Sequence, residues 1–211
     1  MSAVNVARLE RAALCDLFAE LGPDQPTLCA GWTTRDLAAH LLVRERRPDA
    51  SIGIVFKPLG PHMEQVRAAT AQRPFDELVD QLRHPPFWSM SASGPIDRAV
   101  NTLEFFIHHE DVRRARDGWQ PRDLDRATTR ALWQGVPGPA RLALRWFPAG
   151  VEITAPGHGQ TRAGTGDVRV RLTGDPGELM LFVSGRQRVA RVELTGPDEL
   201  VEKLRRARLG L

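Results

Sequence analysis

Residues 101–115 read NTLEFFIHHEDVRRA and place a carboxylate, Glu104, four residues before an imidazole, His108. On a helix that spacing is one turn, so both side chains reach toward one spot. Val100, Leu103, Ile107 and Val112 fall close to one apolar stripe, and Glu104 and His108 lie on or beside it. An inward acid–imidazole pair at this spacing is how helical bundles build metal sites. The same pair is also compatible with a structural ion pair, and E-x-x-x-H alone is a weak motif. A metal needs a further ligand from another helix. His40 is the candidate, because it sits mid-helix among Leu37, Leu41 and Leu42. Two imidazoles and one carboxylate suit zinc or another divalent transition metal and leave a fourth position open.

The surrounding residues divide by register. His109 is 100° further round the helix than His108, so it either caps an edge of the site or faces solvent. Asp111 either orients the His108 ring or pairs with Arg114 or Arg35. His62, His84 and His158 neighbour Gly or Pro and read as loop or helix-start residues. Cys15 and Cys29 form no CxxC pair and no His-spaced cluster, so they read as free, largely buried thiols and neither is placed to ligate. The chain has no Ser-His-Asp pattern, no P-loop and no GxGxxG.

The elements that must position these groups follow from pattern. Residues 3–20 form an amphipathic helix through Val6, Leu9, Ala13 and Leu17, broken by LGPDQP. Thr33 is a natural N-cap for the helix carrying His40, with Asp36 as its capping-box partner, and Pro48 stops that helix. SIGIVFKPLGP (51–61) is a connection. Helices over 61–72 and 74–82 follow, then a loop at 83–95, and then the longest helix, 96–117. DRATTRALWQGVPGPARLALRWFP is helical with a break at 135–139. The period then changes. VEITA, VRVRLTG and ARVELTG alternate as half-buried strands do. GDPGELMLFVSG and GPDELVEKLRRARLG read as helices, the second with Pro197 at N1. The expected architecture is therefore an α+β chain in two parts. Residues 1–148 are helical with four main helices, and residues 149–211 form a small α+β domain.

Bulk properties exclude several classes. Of 29 basic residues only Lys57 and Lys203 are not Arg, and 26 acidic residues nearly balance them. The runs RERR (44–47) and KLRRAR (203–208) read as solvated last turns of helices. No basic stripe marks a nucleic-acid binder. No apolar run approaches the roughly 20 residues of a membrane span, and the N-terminus lacks a signal-peptide core. The expectation is a cytoplasmic protein, monomeric or homodimeric, with no nucleic-acid or membrane partner.

PTLCAGWTTRDLAAHLL resembles the second-helix segment of the DinB-like metal-binding family. In particular it is similar to the mycothiol-dependent maleylpyruvate isomerase branch, whose C.GWtv.DL..H pattern ends on a metal-binding His, here His40. EFFIHHED resembles the later helix of that branch, where Glu and His four apart complete the ligands, here Glu104 and His108. GDPGELMLFVSGRQ is similar to a helix of its C-terminal domain. The resemblance implies a DinB-like four-helix bundle with a divalent metal, most simply zinc, and a small sterol-carrier-like α+β domain. It also implies thiol-linked chemistry, either isomerisation or S-transfer on a small molecule, with mycothiol or a similar low-molecular-weight thiol as cosubstrate. In that branch an Arg of the C-terminal domain takes part in catalysis. Arg186, following Gly185, is its positional match, and a surface Arg after a helix end is the alternative. Many relatives of this kind have no assigned reaction, so a non-catalytic metal- or ligand-binding module stands beside the enzyme as the other function class.

Overall fold

The structure, a computed structural model, describes residues 5–47, 49, 60–86 and 101–210. Two compact units divide the chain, Met1–Pro121 and Arg122–Leu211.

Among the described residues the first unit is helical, with α1 (Val6–Leu21), α2 (Thr34–Arg46), α3 (Gly60–Ala71), α4 (Phe75–Arg83) and α5 (Thr102–Arg113). Its one extended pairing is an isolated bridge, Pro26 to Thr33. The N-terminus of α2 forms as its sequence dictates. The Asp36 carboxylate accepts from the Thr33 N–H at 3.0 Å and from its hydroxyl at 2.9 Å, satisfying a donor that the first turn leaves without an intrahelical partner. α1 packs against α4 and α5, and α2 against α3 and α4. Leu14 and Phe18 of α1, Leu37 and Leu41 of α2, Leu78 and Leu82 of α4, and Phe105 and Val112 of α5 form the core between them. No described helix is long and apolar enough to cross a membrane.

Several expectations change here. The connection at 51–59, most of the loop at 83–95 and the expected helix start at Ile96 lie outside the described residues, and α5 ends at Arg113, short of Asp117. The expected apolar stripe of α5 is not its buried face. Leu103 and Ile107 are half-buried, whereas Phe105, Phe106 and Val112 are buried together with His109, Glu110 and Asp111. The helix is enclosed on most sides, so no single stripe carries its burial. RERR is not wholly solvated either. Arg44 and Glu45 are buried, and Glu45 is held in a two-pronged ion pair by Arg11, whose guanidinium also donates to the Leu82 carbonyl at 2.9 Å.

The second unit contains α6 (Arg126–Gly135), α7 (Pro137–Ala143), β1 (Gly150–Ala155), β2 (Gly159–Gly164), β3 (Val168–Thr173), α8 (Pro176–Val183), β4 (Glu193–Thr195) and α9 (Asp198–Arg206). All described strands follow residue 149, where the period changes. The boundary itself lies at 121/122, not at 148/149, because α8 packs on both α6 and α7, and α7 packs on β2. Periodicity identifies a helix but not the surface it covers, so α6 and α7 read as part of the bundle although α7 packs on the sheet and α6 on α8. Pro197 is the residue before α9 and not its first helical position.

The sheet order is β2-β1-β3-β4. β1 pairs antiparallel with β2 and parallel with β3, and β3 pairs antiparallel with β4. To put β3 on the far side of β1, residues 165–167 must pass over the start of β1. A Cβ on Gly150 would lie 2.8 Å from the Asp167 carbonyl, and one on Gly164 would fall onto the Ala149 carbonyl oxygen. Glycine at both positions is what permits the crossing. α8 (PGELMLFV) is buried along its whole length, as a helix apolar nearly all round must be.

Candidate metal centre

α2 and α5 bring His40, Glu104 and His108 together. Oε1 of Glu104 lies 3.5 Å from Nε2 of His40 and 3.3 Å from Nε2 of His108. The two imidazole rings are 5.4 Å apart at 71°, and the donor atoms of the trio lie within 4.8 Å of one another. Around a tetrahedral zinc with bonds of about 2.0–2.1 Å, neighbouring ligand atoms stand about 3.3 Å apart. Oε1 of Glu104 therefore stands about as far from each imidazole nitrogen as one zinc ligand atom stands from the next. The imidazoles are nearly enclosed, while the Glu104 side chain is 26% exposed, so access to the trio runs along the carboxylate.

His108 is held from behind. Its Nδ1 lies 2.9 Å from Oδ2 of Asp111, which is fully buried. The His108 ring is thus a partner of Asp111, as one of the alternatives from sequence had it. Arg114 donates to Glu110 at 2.5 Å, and Arg35 to the Ala71 and Arg73 carbonyls. With Nδ1 engaged by a carboxylate, Nε2 is directed at Glu104 and His40, the usual way a protein fixes a ligating ring.

The electrostatics follow from this crowding. Burial pushes the Glu104 carboxyl up, but hydrogen bonds from His108 and His40 and the nearby Arg44 charge outweigh it and hold it well below the ordinary carboxylate range. Burial opposes charge on His108, yet its bonds to Asp111, Cys29 and Glu104 raise it well above an ordinary imidazole. Burial dominates at His40 and lowers it, although Glu104 pulls the other way.

Three neighbours of the trio were not legible in sequence. Arg44 places Nε 3.4 Å from Oε1 of Glu104 and donates from Nη1 to Oδ1 of Asn101 at 2.7 Å. Its position four residues after His40 on the same helix is the signal that would have found it. Trp32 lies 5.1 Å from the His40 ring, with the Arg67 guanidinium 5.0 Å from its indole. Cys29, read as remote, is beside the site, with Sγ 3.3 Å from Oδ2 of Asp111 and 4.0 Å from Nδ1 of His108. The Leu28 N–H donates to the Asp111 carbonyl at 3.0 Å and brings this loop onto α5. No local pattern announces a contact between residues 82 positions apart.

His109 neither caps the site nor faces solvent. It is buried, with Nδ1 3.0 Å from Oε2 of Glu10 on α1. His62, His84 and His158 are exposed. Arg186 belongs to the second unit, is half-buried, and donates from Nη1 to the Ser184 carbonyl at 2.6 Å.

The chain shares its fold with the mycothiol-dependent maleylpyruvate isomerase. The crystal structure of that enzyme superposes with a TM-score of 0.60 at 15% identity, covering 90% of each chain. A histidine-to-alanine mutant of the enzyme superposes with a TM-score of 0.61 at the same identity and coverage. No family model matches the sequence, and no curated protein does. At this identity the likeness establishes the fold.

Proposed function

We propose that this chain is a divalent-metal enzyme of the DinB-like family, in the branch of the mycothiol-dependent maleylpyruvate isomerase, acting on a small molecule together with a low-molecular-weight thiol. One observation carries the reading. His40, Glu104 and His108 meet from two helices at zinc-ligand separations, in a chain whose fold is that of a thiol-dependent isomerase. On this reading the helical unit is the family's four-helix bundle and the sheet unit its sterol-carrier-like domain.

A divalent ion held by the trio, most simply zinc, supplies the acidity that makes a thiol a thiolate near neutral pH. The remaining work belongs to side chains. Asp111 keeps the proton of His108 on Nδ1 and its Nε2 lone pair toward the trio. Arg44 holds the Glu104 carboxylate in place and fixes its charge next to the imidazoles. Trp32 walls one side of His40 and excludes water from it. Arg186 remains the candidate cation for an anionic substrate or a developing enolate. A thiol cosubstrate places the reaction in a reducing cytoplasm.

A second reading is a non-catalytic binding module. It is favoured by the way Oε1 of Glu104 is shared among His40, His108 and Arg44, which satisfies the carboxylate without an ion. Cobalt loading of a Cys29→Ser protein separates the two. The enzyme reading expects a sulfur-to-cobalt charge-transfer band when a small thiol is added, absent when Glu104→Ala is also present. Cobalt binding with no response to thiol would leave the binding module, and no cobalt binding would remove the metal site altogether.

A further inference from the structure

We propose a second metal position on the far side of His108, formed by Sγ of Cys29, an oxygen of Asp111 and Nδ1 of His108. It builds on the reading of His108 as a ligand through Nε2, but uses neither His40 nor Glu104.

The geometry is specific. Nδ1 of His108, Oδ2 of Asp111 and Sγ of Cys29 form a triangle with sides of 2.9, 3.3 and 4.0 Å. The point equidistant from its corners lies about 2.0 Å from each, which is the zinc–nitrogen and zinc–oxygen distance, and the sulfur needs only about 0.3 Å more. An ion fits among these atoms with shifts of tenths of an ångström.

The donor types agree with the geometry. Thiolate, imidazole and carboxylate together suit zinc, cobalt or cadmium and disfavour magnesium or calcium, which want oxygen alone. The Asp111 carboxylate is fully buried, and a buried anion is stabilised by a cation held against it. Cys29 is half-buried, which gives the position an entrance. Binding releases two protons to solvent, one from the Cys29 thiol and one from Nδ1 of His108, so the sulfur becomes a thiolate and, with both positions filled, the ring bridges them as an imidazolate.

The loop that carries Cys29 is already set for the purpose. The Leu28 N–H is tied to the Asp111 carbonyl at 3.0 Å and the Trp32 N–H to the Cys29 carbonyl at 2.9 Å. The Thr27 hydroxyl donates to the Trp32 carbonyl at 2.9 Å, and its oxygen accepts from the Cys29 N–H at 3.2 Å. The sulfur is therefore presented to α5 by a pre-ordered turn, and little chain entropy is lost on closing the site. The two positions share His108, which offers one ring nitrogen to each.

The test uses the full-length protein and cobalt alone, with no added thiol. Wild type is expected to show a sulfur-to-cobalt charge-transfer band. Cys29→Ser should lose the band while keeping its unfolding transition, and Asp111→Asn should require at least about tenfold more cobalt to develop it. His40→Ala, which cripples only the first position, should keep the band. No band in wild type at saturating cobalt overturns the proposal. So does a band that survives Cys29→Ser, since its sulfur would then be Cys15, and so does a band abolished by His40→Ala, which would place Cys29 on the first ion. The thiol-dependent response of the Cys29→Ser protein reports on the first position separately, so either idea can fail without the other.

Discussion

His108 and His109 are chain neighbours on α5 that look to different helices. Nε2 of His108 meets Glu104 at 3.3 Å in the trio completed by His40 of α2, while Nδ1 of His109 meets Glu10 of α1 at 3.0 Å. Their alanine variants should therefore fail in different ways. His108→Ala should lose metal and also destabilise the metal-free protein, because Glu104 and the buried Asp111 both lose that imidazole. His109→Ala should keep metal but take one hydrogen-bond partner from the buried Glu10, a loss of about 1–3 kcal/mol. Metal titration and denaturant unfolding of both variants check this. Equal metal loss in the two would mean that the register of α5 has been misread.

Asp111 should matter to metal affinity without touching the first ion. In a Cys29→Ser background, which disables the second position, Asp111→Asn is expected to weaken cobalt binding at the trio by about 10–100-fold. The cause is the loss of the carboxylate that holds the His108 ring at 2.9 Å. Unchanged affinity would show that packing alone orients the ring.

How much of this was legible depended on whether the controlling contact was local. The Thr33–Asp36 cap and the one-turn pairing of Glu104 with His108 were readable because both partners lie within four residues. His40 was singled out for its place mid-helix among leucines, and it lies 3.5 Å from Glu104, although a histidine in such a place is more often a satisfied core residue. β2 was not readable, because GQTRAG has no alternation to display. It becomes a strand through its complete antiparallel register with β1, from Gly150–Gly164 to Ala155–Gly159. Cys29 was missed for the same reason as the true unit boundary. Both are decided by which surface a segment lands on, and neither a turn nor an amphipathic helix encodes its partner locally.

Gly164 tests the crossing that the sheet requires. It has φ of 82°, and a Cβ there would clash with the Ala149 carbonyl oxygen. Gly164→Ala adds backbone strain of about 1–3 kcal/mol and a clash that must displace the start of β1. The expected result is a lower unfolding temperature with an unchanged metal content, because the three ligands all belong to the first unit. A variant as stable as wild type would show that the 165–167 connection does not pass close over β1.

Stability should respond to pH in opposite ways with and without metal. In the metal-free protein the raised His108 contributes stability that is complete below the unfolded value of about 6.5 and is lost as pH rises through its folded value. The lowered His40 contributes with the opposite sign, losing stability as pH falls from about 6.5 through its own folded value. The lowered Glu104 contributes above about 4.3 and is lost as pH falls further. Above about 6.5 His40 is unprotonated in both the folded and the unfolded chain and contributes no slope, so the raised His108 makes metal-free stability decline as pH climbs from there. Metal requires an unprotonated Nε2, and below the folded value of His108 its binding expels one proton. Affinity should thus rise about tenfold per pH unit there. Thermal unfolding from about pH 6.5 to 9 should therefore give curves that diverge with rising pH, falling for the metal-free protein and rising for the metal-loaded one. His108→Gln should collapse the two onto one curve. Parallel curves for the wild type would show that His108 does not exchange a proton for the metal, and would remove it from the ligand set.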